Sequence, residues 1–346
     1  MDRYRVRWTL SLALLSLAVG CKQPIRIVTN DRVTVVSPSS RSQQPLAVIP
    51  VVPPQAGGDQ RRIALVDVDG LLLNQPMTGL YSEGENPVAL FREKLDRVAS
   101  SRCYAAVVLR INSPGGGVTA SDVLWHDLQS FKARTGLPVV ACLMDVGTGG
   151  AYYLATAADH IVAHPTTITG GIGVILNLYN LDDTMGMFNA VGTPIKAGEN
   201  IDLGTPITAA SPESREILQK MADEFHARFR RIVIEERPQL AAAPPEVFDG
   251  RVFTAEQAMT LHLVDSIGYL DQAAEMARQM GGAPGASLVV LHRPNDGART
   301  PYDITANVPL QGGLIPVSVP GLERAKLPTF LYLWQPEPTM ERLSGR

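Results

Sequence analysis

At 346 residues the chain is long enough for one large or two modest domains with a sizeable core. Hydrophobic residues at 45% and charged residues at 19% exclude a disordered polymer, and a net charge of −3 excludes an electrostatic nucleic-acid footprint. Three cysteines are too few for a disulfide framework, and Cys103 and Cys142, in apolar runs, are expected as buried thiols.

In chain order, Arg3, Arg5 and Arg7 come first, before an apolar stretch from Trp8 to Val19. That stretch has the length of a signal h-region and is too short to span a bilayer comfortably. It ends in Leu17-Ala18-Val19-Gly20-Cys21, which resembles a bacterial lipobox. Residues 1–20 are then a signal peptide and Cys21 a lipidated N-terminus; an ordinary signal peptide and an uncleaved anchor are the alternatives. On the lipobox reading the protein is lipid-anchored in a bacterial cell envelope, with its body extracytoplasmic. Residues 21–60 carry Ser37-Pro38-Ser39-Ser40 and Val52-Pro53-Pro54 and no persistent period, so a tether is expected there.

From Ile63 the pattern becomes regular. Ile63–Val68, Tyr104–Ile111, Pro138–Met144 and Ile161–Ala163 are apolar runs of strand length. Helical periods occupy Pro87–Ala99, Ala120–Ala133 and Ala151–Ala157. Ser211 caps a long helix with an Ile217, Met221, Phe225, Ile232, Val233 stripe that stops near Arg237-Pro238. Two further helices are expected over Thr254–Leu263 and Leu270–Met280. Strands alternating with helices predict an α/β domain over 61–285, its mainly parallel sheet covered by helices on both faces. Residues 286–346, dense in Pro and Gly, are expected as a loosely folded extension.

Three glycine segments follow strands: Asn112-Ser113-Pro114-Gly115-Gly116-Gly117, Gly147-Thr148-Gly149-Gly150 and Thr169-Gly170-Gly171-Ile172-Gly173. None has the spacing of a phosphate-binding or dinucleotide loop. Consecutive glycines at a strand-to-helix turn let backbone N–H groups approach a ligand, the construction of an oxyanion hole, which nominates Gly115 and Gly116. Half of such turns, roughly, merely pack tightly. Ser113 reads as structural, and Asp145 as a backbone N–H acceptor. His160 and His164 lie in a strand-like segment and no His-Glu-x-x-His occurs, so neither a metal site nor a cofactor is expected.

Together with Pro138-Val139-Val140-Ala141, Tyr152-Tyr153, Ala157-Ala158-Asp159, Asp249-Gly250-Arg251-Val252-Phe253-Thr254 and Leu263-Val264-Asp265, these segments resemble the SppA-type (protease IV) signal peptide peptidase family. The resemblance covers roughly residues 63–280 and implies a ClpP/crotonase-like fold of repeated ββα units. Active members resemble Ser–Lys dyad hydrolases, in which a desolvated lysine deprotonates a serine. The resemblance puts Gly149 at the serine and, through Ala197-Gly198-Glu199-Asn200-Ile201-Asp202, Ile201 at the lysine. Neither side chain can do that chemistry.

Thr148 is the fallback nucleophile, and Lys196 the nearest base in sequence. The expected function is therefore a non-catalytic peptide-binding or assembly subunit. Its expected partners are peptides or signal-peptide remnants, the membrane, and copies of itself or an active homologue, but not nucleic acid. An active serine-type or Thr148-dependent peptidase degrading signal peptides or membrane-derived peptides is the alternative, and a crotonase-like acyl-CoA enzyme a third.

Overall fold

The computed structural model describes residues 26–30, 32–36, 45–76, 78–79, 82–83, 85–189, 193–207, 209–294, 298–303 and 330–334. The signal segment and Cys21 lie outside them. Ten strands form the main sheet. In chain order they are β1 (Ala47–Val52), β2 (Arg62–Leu72), β3 (Tyr104–Gly117), β4 (Val139–Thr148), β5 (His160–Ala163), β6 (Ile168–Gly170), β7 (Val252–Thr254), β8 (Ser266–Ile267), β9 (Ser287–His292) and β10 (Leu331–Leu333). The helices are α1 (Pro87–Ala99), α2 (Val118–Thr135), α3 (Gly150–Ala155), α4 (Asp182–Met187), α5 (Pro212–Glu236), α6 (Ala255–Thr260) and α7 (Leu270–Met280).

The strand order is β7-β6-β4-β3-β2-β9-β1, with β5 beside β4, β8 beside β5, and β10 beside β3. Strands β9, β2, β3 and β4 run parallel, as do the β4 pairings with β5 and β6. The β1, β7 and β10 pairings are antiparallel. This is the α/β architecture with a mainly parallel sheet that the sequence predicts.

Successive residues of a strand face opposite sides, and here both sides are covered. Val66 and Leu109 pack with Leu95, Leu128, Tyr153 and Phe229 on one face. Leu65, Val108 and Val140 pack with Ala273, Ala274 and Ala277 of α7 on the other. The alanines let α7 lie close to the sheet; a Cβ at Gly281, just after it, would stand 2.5 Å from the Ala105 carbonyl oxygen.

Helix starts follow local chemistry. The Asn86 carboxamide accepts from the N–H groups of Val88 and Ala89, Ser211 accepts from Ser214, and Thr254 and Gln257 form a reciprocal capping box. The motifs at Asp159 and Asp265 fasten strand ends. Asp159 accepts the Val139 N–H at 2.8 Å, and Asp265 accepts that of Ile161 at 2.7 Å while pairing with Arg237 at 2.6 Å. A buried Lys94–Asp67 pair at 2.6 Å ties α1 to β2.

Several local expectations are corrected. The sheet passes beyond 61–285 at both ends: β1 lies in the expected tether, and β9 sits between β2 and β1. Ala47–Val52 and Leu288–Leu291 are short apolar runs, and their pairing with each other across about 240 residues of chain has no local signature. Cys142 is buried, and burial pushes its thiol up to about 12, but Cys103 is exposed. Helix α6 ends at Thr260 rather than Leu263, where His262 adopts φ +60°. Asp145 is exposed, and the Asn112 carboxamide, not Asp145, accepts the Val146 N–H.

Candidate active site

The β4 strand ends at Thr148 and α3 begins at Gly150, so Gly149 makes the whole strand-to-helix elbow. It holds φ +54° and ψ −124°, backbone angles that cost a residue with a side chain on the order of 1–3 kcal/mol. Its N–H donates to the Gly170 carbonyl at 2.9 Å, and its own carbonyl accepts the Tyr153 N–H. The turn is thus held from β6 on one side and from α3 on the other. Thr148, the fallback nucleophile, is fully buried with its hydroxyl donating to the Pro114 carbonyl at 3.2 Å.

The neighbouring glycine turn closes from β3. Gly115 has φ +104°, and its N–H donates to the buried Ser113 hydroxyl at 3.1 Å, which gives Ser113 the structural role expected of it. A Cβ at Gly115 would stand 2.0 Å from the Tyr332 carbonyl oxygen and 2.7 Å from the Gly150 nitrogen. One at Gly116 would stand 2.1 Å from the Leu72 carbonyl oxygen. Backbones from β2, β3, β10 and the elbow meet here without room for a side chain. Space requires glycine at both positions, and at Gly115 the backbone angle requires it as well.

Strand β10 is the part of the site that the sequence reading missed. It pairs with the end of β3 in the register Leu331–Gly117, Tyr332–Gly116, Leu333–Gly115. The Val118 N–H donates to the Phe330 carbonyl and the Trp334 N–H to the Pro114 carbonyl. Antiparallel ladders alternate, so Gly116 and Tyr332 form the hydrogen-bonded pair between those two bonds. On the other edge Leu331 exchanges two bonds of 2.9 Å with Ile175. The signal available in the sequence is the alternation of Phe330-Leu331-Tyr332-Leu333-Trp334, a two-residue period only five residues long inside a Pro- and Gly-rich region.

The Tyr332 ring enters an aromatic pocket. It stacks on Tyr153 with centroids 5.5 Å apart and packs at a tilt of 45° to Phe229 at 4.6 Å, and its hydroxyl donates to the Phe225 carbonyl at 2.7 Å. The Tyr153 hydroxyl donates to Asp122 at 2.6 Å, and Arg228 pairs with the same carboxylate at 2.7 Å. Burial, then the Asp122 carboxylate, raises the Tyr153 phenol far above its ordinary value; burial raises Tyr332 likewise. Both are neutral donors at any ordinary pH.

The segment carrying Ile201 has the opposite character. Ile201 is 73% exposed. The Lys196 ammonium is held by both Asp202 oxygens, at 2.9 and 3.1 Å, and by the Glu199 carbonyl, all within its own loop. The hydrogen bond from Lys196 holds the Asp202 carboxyl below the usual range. Thr148 and Lys196 therefore have separate partners, and none of these contacts joins them. Of the histidines singled out, His160 bonds to Ser266, while His164 bonds to Thr166 and packs edge-on to Tyr269.

Residues 132–283, which include the elbow and the Ile201 segment, match peptidase family S49. The chain is 32% identical over 206 residues to "Putative protease slr0021" of Synechocystis, covering 60% of this chain and 73% of that one. It is 26% identical to "Putative signal peptide peptidase SppA" of Enterococcus faecium, covering 68% of each. It is 34% identical over 207 residues to "Serine protease SPPA, chloroplastic" of Arabidopsis thaliana, covering 59% of this chain but spanning only 30% of that longer protein. With the parallel sheet, the glycine turns and the strand-to-helix elbow in place, the chain belongs to peptidase family S49, the SppA-type signal peptide peptidases.

Proposed function

We propose that this member of the family is not a peptidase but a peptide-binding or assembly subunit, lipid-anchored through Cys21 to a membrane of the bacterial cell envelope with its domain outside the cytoplasm. The observation that carries the reading is Gly149: the elbow keeps the backbone geometry of a nucleophile turn and has no side chain to attack with. Ile201, at the position the family resemblance assigns to the lysine, supports it, because an exposed aliphatic side chain can neither accept a proton nor desolvate a base.

The alternative, a Thr148-dependent peptidase, has less support. A nucleophile must reach a carbonyl, and the Thr148 hydroxyl is buried and bonded to Pro114. Its nearest candidate base in sequence, Lys196, is paired with Asp202.

Assembly with a second copy or an active homologue is favoured by large apolar side chains left exposed. Met187, Phe188, Ile195 and Ile201 are each more than 70% exposed, and the α5 stripe runs on past the core, leaving Met221 43% exposed. No helix among the described residues is long and apolar enough to cross a membrane. The lipid anchor on Cys21 rests on the lipobox resemblance of Leu17-Ala18-Val19-Gly20-Cys21.

The test is hydrolysis of a fluorogenic peptide library by the full chain and by Thr148→Ala. Neither is expected to release fluorophore above the blank. Cleavage by the wild type that Thr148→Ala abolishes would establish the alternative instead.

A further inference from the structure

The strand beside the elbow is positioned as a ligand would be. The Tyr332 carbonyl oxygen lies 2.3 Å, its carbonyl carbon 2.7 Å and the Leu333 nitrogen 3.1 Å from where a Cβ at Gly149 would stand. The Tyr332–Leu333 peptide bond thus faces the position that, in a serine member, would carry the nucleophile. The segment is extended and bonded on both edges, to β3 and to Ile175. Tyr332 fills the aromatic pocket, Phe330 packs edge-on to Phe225 at 5.0 Å, and Leu331 and Leu333 turn to the opposite side against Leu71 and Ile175. That is strand addition, in which the main chain supplies affinity and pockets for alternate side chains supply selectivity.

We propose that Phe330–Trp334 is a built-in ligand of this groove, bound in the manner of a substrate, and that glycine at 149 is what lets it seat. An outside peptide binds only by displacing it, and the peptides able to do so are extended apolar segments with an aromatic residue in the place of Tyr332. The inference rests on the non-catalytic reading above and names the ligand class of the same groove.

The experiment uses the full chain. Hydrogen exchange is followed at the amides of Leu331, Trp334 and Ile175, and binding of fluorescein-labelled Phe-Leu-Tyr-Leu-Trp, amidated at its end, is read by anisotropy. In the wild type these amides exchange slowly and the labelled peptide does not bind. Tyr332→Ala loses the protection at Leu331 and Trp334 and gains peptide affinity by roughly a hundredfold, the size expected for deleting a buried aromatic ring. The same peptide with Asp at its centre stays unbound. If Tyr332→Ala lowers the Tm too far for binding to be read, Tyr332→Leu makes the same test with less packing lost, and the same two changes are expected in smaller measure.

Free exchange at Leu331 and Trp334 in the wild type, or equal peptide binding by wild type and variant, overturns the built-in ligand while leaving the non-catalytic reading standing. Protection that disappears on dilution assigns the strand to a second copy and overturns the intramolecular form. Hydrolysis of the labelled peptide by either variant leaves the occupied groove in place and overturns the non-catalytic reading.

Discussion

The two positions that the family resemblance pairs for catalysis are built in opposite ways in this chain. Gly149 sits in a fully buried elbow whose backbone is bonded on both sides and closed over by Tyr332. Ile201 sits in an exposed excursion held by its own short-range bonds, Lys196 to Asp202 and Glu199. The contrast teaches that a position without a side chain need not be loose. At the elbow the space a side chain on Gly149 would need is taken by the backbone of β10. The excursion has no such covering, so its residues answer to solvent.

If that contrast holds, changes of similar size should differ sharply in effect between the two regions. The largest effect is expected from Gly116→Ala, whose Cβ would meet the Leu72 backbone at 2.1 Å and force β2 and β3 apart. A loss of about 3 kcal/mol by denaturant unfolding is expected, the upper end for overpacking. Gly149→Ser follows at about 2 kcal/mol, since it combines an unfavourable backbone angle with the Tyr332 contact; much of the loss should appear as faster exchange at Leu331 and Trp334. A Gly149→Ser variant of unchanged stability would break the comparison outright.

Tyr332→Phe is milder. It removes the hydrogen bond to the Phe225 carbonyl and should cost about 1 kcal/mol, or a few degrees in Tm. It also sharpens the account of pH. Burial raises the Tyr332 phenol above its ordinary value of 10.0, so its contribution is complete below pH 10 and is lost as pH climbs from there toward the folded value. Thermal melts between pH 8 and 11 should show the wild type losing more stability than Tyr332→Phe over the last unit. Ile201→Lys, in the excursion, should stay within about 0.5 kcal/mol of wild type and gain no hydrolysis, because an exposed lysine keeps its proton at neutral pH.

Much of the fold was legible in the sequence. The helices over Pro87–Ala99 and Leu270–Met280 have the predicted bounds, and the cap at Ser211 sits where its side chain accepts the Ser214 N–H. Apolar periodicity and capping are local properties, so local sequence carries them. Of the long helix stripe only Ile232 and Val233 became core, joined by Phe229, which the stripe did not include; Phe225 is partly buried and Met221 remained exposed.

What the sequence determined by itself is the order of β2, β3, β4 and β5 and of helices α1, α2, α3, α5, α6 and α7, the three glycine turns, and the absence of serine at 149 and lysine at 201. Those are statements about residue types and short spacings, which the chain states directly. What only the tertiary structure decided is who meets whom. Strand β9 enters the sheet between β2 and β1, Thr148 faces the Pro114 carbonyl, and five residues near the C-terminus lie across the elbow. A strand carries a two-residue period whichever edge it joins, so its partner is set by space and backbone hydrogen bonding. At Gly115, Gly116 and Gly149 that space exists only because no side chain occupies it.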